Sequence, residues 1–138
     1  MQFGMPTLIE HENLEETASL CHELGLDFVE LNMNFPQYRI ESLEDTDTLL
    51  AIAKKYQLFY MIHLDENLNV CDFNQAVTKA YLDTVKRTIA VAKKIKAPLI
   101  NMHMNHGIYI TLPTKKVFLY EEYKEHYLKS IEEFIHLC

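Results

Sequence analysis

The sequence predicts an α/β protein made of four consecutive strand–helix units. Three observations carry that expectation. Two apolar runs, Leu58 to Leu64 and Leu99 to Gly107, lie between helical segments and read as buried parallel strands that finish in polar residues. The segments between such runs place apolar residues at intervals of three and four, as helices with one buried face do. The turn from the first helix into the next strand is very short, as is usual in βαβ units.

Gln2 to Pro6 is apolar enough for a first strand, which Pro6 must end or hold at an edge. Asn13 caps the first helix and Glu16 answers it three residues on, a capping box; Leu14, Ala18, Cys21 and Leu24 then share a face. Gly25 suits the left-handed residue that ends a helix, with Leu26 closing the end. Asp27 to Asn32 is the second strand. A loop from Met33 to Glu41 follows, and then a helix starting between Ser42 and Asp47, with Leu49, Ile52, Ala53 and Tyr56 inward. After the strand Leu58–Leu64 and a polar loop, Asn74 to Ile95 forms the longest helix, with Val77, Tyr81, Val85, Ile89, Ala92 and Ile95 as its buried stripe. Pro98 separates it from the fourth strand. Two β-rich runs flank Pro113-Thr114-Lys115-Lys116, which reads as a small hairpin or an extended excursion. A last helix runs from about Glu121 to the end, with Tyr123, Tyr127, Ile131, Phe134 and Cys138 on one face.

At 138 residues the chain is the size of one domain, and residues 1–138 are expected to form a single one. Its net charge of −7 argues against broad binding to nucleic acid or anionic membranes, because phosphate contacts need clustered Lys and Arg. Lys93, Lys94 and Lys96 fall at a helix C-terminus, where cations complement the dipole. Three widely spaced cysteines without a CxxC pattern fit reduced thiols rather than a disulfide framework. With no basic, apolar leader and no run of the roughly 18 apolar residues a membrane span needs, a cytoplasmic location is expected.

Glu30, His63 and His103 are each expected to end a predicted strand, where α/β proteins place their chemistry. Two imidazoles and a carboxylate suit Zn²⁺ or Mn²⁺ with an open position for water or substrate. Each is equally a hydrogen-bonded polar residue of the interior. Glu30, Asn32 and His106 are the candidate substrate contacts, and His63 and His103 the candidate metal ligands. His11 lies in the first βα loop on the same side, while His22, His126 and His136 belong to helix surfaces. Four βα units fit either four strands of a (β/α)₈ barrel or a small doubly wound sheet.

Phe28-Val29-Glu30-Leu31, Ile62-His63-Leu64 and Asn101-Met102-His103, at successive strand ends, resemble the sugar phosphate isomerase/epimerase family. That family shares the xylose-isomerase-like and endonuclease-IV-like TIM-barrel fold, and the resemblance covers the N-terminal half of a member. It implies half of a (β/α)₈ barrel with parallel strands in the order 1-2-3-4, a divalent cofactor (Zn²⁺, Mn²⁺ or Mg²⁺), and metal-assisted proton transfer on a small sugar, sugar phosphate or hydroxy-carbonyl substrate. In the endonuclease branch the positions matching His63 and His103 hold metal. In the epimerase branch a Glu, Asp, His and Glu from the second half hold it, and the first-half histidines line the substrate cavity. Those four ligands fall outside this chain, so it is expected to be inactive alone and to associate, as a homodimer or otherwise, through its exposed half-barrel edges. A metal-dependent phosphodiesterase and a non-catalytic half-barrel module are the alternatives.

Overall fold

A computed structural model describes residues 1–104 and 107–137. Its elements run β1 (Gly4–Pro6), α1 (Leu14–Glu23), β2 (Phe28–Asn32), a 3-10 turn (Pro36–Tyr38), α2 (Ile40–Leu43), α3 (Thr46–Tyr56), β3 (Phe59–His63), α4 (Gln75–Ile95), β4 (Ile100–Asn101), β5 (Tyr109–Thr111), β6 (Lys116–Phe118), α5 (Leu119–Glu122) and α6 (Lys124–Ile135). The chain divides into two compact units, one of residues 1–66 and 87–102, the other of residues 67–86 and 103–138.

The first unit holds a parallel sheet in the order β1-β2-β3-β4, the half-barrel order expected. Burial alternates along β2 and β3. Val29, Leu31, Tyr60 and Ile62 are fully buried, whereas Phe28, Glu30, Asn32, Phe59, Met61 and His63 on the opposite face are half-buried. The buried face is the helix-covered one: the Tyr60 hydroxyl donates to the Leu49 carbonyl of α3 at 3.0 Å, and Cys21 of α1 lies against the Phe28 carbonyl at 3.4 Å. A fully covered parallel strand reads as an unbroken apolar run. The alternation here leaves one face of the sheet semi-polar.

The helices begin where local chemistry starts them. The Asn13 side chain accepts from the Glu16 amide at 3.1 Å, and Glu16 answers by accepting from Asn13 Nδ2 and from the Glu12 amide. Gly25 takes φ +67°, with Leu26 N–H returning to the Cys21 carbonyl at 3.0 Å. Leu24 is 61% exposed and leaves the expected inner face to Thr17, because the chain turns out of the helix at Leu24. The expected loop 33–41 contains the 3-10 turn and the start of α2, which bury Tyr38, Ile40 and Leu43. Asp45, accepting from the Thr48 amide at 3.2 Å, caps α3.

Two expectations near the carboxyl end change. The fourth strand is only Ile100–Asn101, and Leu99 is 46% exposed, so His103 follows the strand by two residues rather than ending it. Pairing with β3 reaches Ile62↔Ile100 and His63↔Asn101 and goes no further.

In the second unit Leu68, Val70, Cys71 and Val85 are buried, so the loop after β3 supplies core residues as well as polar ones. Of the two readings left open for residues 108–120, the hairpin forms, with β5 antiparallel to β6 and Leu112 N–H donating to the Lys115 carbonyl at 2.8 Å. The last helix is broken at Tyr123, whose φ −115° and ψ 41° are not helical, giving α5 and α6. Tyr123 is exposed, not inward, and Cys138 lies outside the described residues. No described helix is long and apolar enough to cross a membrane.

Candidate functional site

The parallel register sets Asn32, His63 and Asn101 level with one another at the carboxyl ends of β2, β3 and β4. Glu30 sits two residues earlier on β2, level with Met61. Side chains alternate along a strand, so Glu30, Asn32 and His63 share the half-buried face. On that face the Asn101 amide donates to Glu30 Oε1, a hydrogen bond that spans the intervening β3. Asn101 is the residue that strand-end reasoning passed over. Its signal was a side-chain amide within an apolar run, two positions before the histidine that drew the attention.

His63 donates from Nδ1 to the Leu64 carbonyl at 2.9 Å, since a carbonyl can only accept. The lone pair of the neutral ring is therefore on Nε2, the arrangement that a metal ligand or a proton acceptor uses. Asn32 is held more by its loop. Its Oδ1 accepts from the amide and side chain of Asn34 at 3.0 and 2.9 Å, while its own amide donates to Thr7 Oγ1 at 3.1 Å. Asn34 Oδ1 in turn accepts from the Glu66 amide at 2.9 Å, and Arg39 pairs with Asp65, so the β2 and β3 loops are tied together. Asn34, Arg39 and Asp65 make up the rim of the site and were not legible as such. In the β1–α1 loop, His11 Nδ1 lies 2.8 Å from the hydroxyl of fully buried Thr17.

His103 is exposed and belongs to the second unit, and His106 lies outside the described residues. The structure thus brings Glu30, Asn32 and His63 onto one face. Among the described residues no group of three or more His, Cys, Asp and Glu is close enough together to hold a metal ion. The tautomer of His63 fits one ligand of such an ion, but these residues do not make a full donor set. Chemically the face offers a carboxylate acceptor, amide donors and an imidazole acceptor over an apolar floor of Phe28, Phe59 and Met61. Such a surface matches vicinal hydroxyl and carbonyl groups.

A family model described as a xylose isomerase-like TIM barrel matches residues 18–138. Among solved structures, the chain is similar to a D-tagatose 3-epimerase-like protein (TM-score 0.69, 19% identity, covering 99% of this chain and 48% of that one). It is also similar to the 3-keto-D-glucoside 4-epimerase of E. coli (TM-score 0.75, 15% identity, 99% and 51%) and to a D-psicose 3-epimerase crystallised in the presence of D-fructose (0.71, 18%, 99% and 48%). The chain spans about half the length of these structures. No curated protein matches the sequence.

Proposed function

The chain belongs to the xylose isomerase-like TIM-barrel family, and on that premise we propose that it is the N-terminal half of a sugar isomerase/epimerase-like barrel acting on a small sugar, sugar phosphate or hydroxy-carbonyl compound. The observation that carries the reading is the polar row of Glu30, His63 and Asn101 over an apolar floor on the half-buried face of the sheet. Epimerisation beside a carbonyl removes and returns a proton at carbon, which needs the substrate hydroxyls held in one orientation. Glu30, fixed by Asn101, accepts from one hydroxyl, and Asn32 reads a second at the mouth. His63 lies on the same face, with Nε2 as the acceptor nitrogen of its neutral ring.

A divalent ion belongs to the reading, with His63 as the ligand the sheet supplies and the rest of the set coming from elsewhere. When bound, it would polarise the substrate carbonyl. The chain alone is then a binding half without turnover, and it associates through the edges of β1 and β4. Buried free Cys21 and Cys71 support a reducing, cytoplasmic setting.

The test is titration of the chain with D-fructose and D-tagatose, followed by NMR. Saturable shifts at Glu30, His63 and Asn101 are expected, weakened about tenfold by Glu30→Ala, the scale of one lost charge-assisted hydrogen bond. Shifts that never saturate, or that ignore Glu30→Ala, would overturn the reading.

A further inference from the structure

The second unit carries a cavity of its own, about 90 Å³ in volume. A single water needs roughly 10–15 Å³ on the same measure, so this space admits a small molecule. Its back wall is Cys71, 8% exposed, whose thiol lies 3.8 Å from the Tyr127 carbonyl. Burial pushes that thiol up to about 11, so it acts as apolar wall and not as a nucleophile.

The mouth is aromatic. Phe73 and Tyr123 meet edge to face at 5.3 Å, and His126 stacks on Phe73 at 4.8 Å with an interplanar angle of 17°. Phe73 and Tyr123 are nevertheless 49% and 56% exposed. Large rings left in water around an apolar cavity mark an entrance. The polar groups beside it are turned to local structure: Asn69 Oδ1 accepts from the Cys71 amide at 3.1 Å, and Asp72 Oδ1 from the Asn74 amide at 2.8 Å. Such a lining offers little to a phosphate or a polyol. Asp72 is the carboxylate in the wall, and no Lys or Arg is among the described lining residues.

We propose that this cavity binds one small aromatic ring, uncharged or cationic, inserted past the Phe73–Tyr123 pair toward Cys71. Apolar cavities of roughly 150 Å³ take up benzene whole. The smaller space here, open at one side, takes a ring edge-first and leaves its substituent at the mouth. Ring faces and edges then pair with Phe73, Tyr123 and Tyr127 in stacked and T-shaped geometry. Asp72 favours an ammonium on that substituent and opposes a carboxylate. This site goes beyond the sugar reading and does not rest on it.

The test uses the whole chain titrated with benzylamine, phenol and benzoate, followed by amide and aromatic NMR. Benzylamine and phenol are expected to give saturable shifts confined to residues 69–73, 107–108 and 119–127. Benzoate should bind about threefold or more weakly than benzylamine, the size of one partly exposed charge contact, and Asp72→Asn should narrow that gap. Cys71→Leu fills the space and is expected to weaken both ligands at least about tenfold. Tyr123→Ala, at a position 56% exposed, should weaken them as well. Shifts that do not saturate, shifts spread over the exposed Ile110 and Leu128, or three ligands binding alike would overturn the proposal. So would undiminished binding by Tyr123→Ala.

Discussion

Gly4 shows how little room one residue can have. A Cβ placed there would lie 2.3 Å from the Phe28 ring, which is itself packed on Phe59 at 5.3 Å between centroids. Any side chain at Gly4 must push that ring aside at the amino-terminal end of the half-buried face. Gly4→Ala is expected to lower stability by about 1–3 kcal/mol, as overpacking does, measured by urea unfolding. A variant as stable as the parent would show that the ring moves freely. The same scale decides the chemistry of His63. Because its Nδ1 donates to the Leu64 carbonyl, nitrogen-detected NMR of the neutral ring should find the proton on Nδ1. A proton on Nε2 would remove the imidazole acceptor from the proposed site. Neither residue's role was legible from the sequence: Gly4 is one glycine among three, and a tautomer depends on which backbone atom the fold brings alongside.

At the scale of elements, caps are the most local devices and the easiest to read. Asn13 and Glu16 announce α1 because every partner lies within four residues. Asn13→Ala is expected to cost about 1 kcal/mol, read from the thermal unfolding midpoint. Asp45 adds a pH dependence. Hydrogen bonds from the Thr48 hydroxyl and amide hold its carboxyl below the ordinary value of 3.8. A carboxyl depressed in the folded state stabilises above its unfolded value, and the contribution disappears as pH falls through the folded one. Helix α3 should therefore weaken below about pH 4, and Asp45→Asn should flatten that dependence in acid titrations followed by circular dichroism. The ends of β4 were much less legible. A run such as Leu99 to Gly107 reads as a strand with a polar end, but its length in the fold is set by how far β3 accompanies it. The break at Tyr123 was equally hidden, since an aromatic at helical spacing carries no mark of a non-helical backbone.

For the whole molecule, four βα units followed from alternation of element types, the order 1-2-3-4 came only with the family resemblance, and which face would be left half-buried followed from nothing local. Polar Glu30, Asn32 and His63 among apolar neighbours were visible; that they share one surface is a matter of register. Among the described residues β1 and β4 have one strand partner each, and the exposed apolar residues include Leu99 in the first unit and Ile108, Ile110 and Ile135 in the second. Sedimentation velocity is expected to show mass rising with concentration across the micromolar range, and a strictly monomeric chain would count against association through open edges. The strand order has a kinetic consequence too. Each strand of the sheet pairs with the strand just before it in the chain, and no pairing joins residues more than about forty positions apart. Every βα unit can therefore dock on its predecessor as soon as it leaves the ribosome, needing nothing from later synthesis. Such a sheet grows in the order in which it is written, strand upon strand.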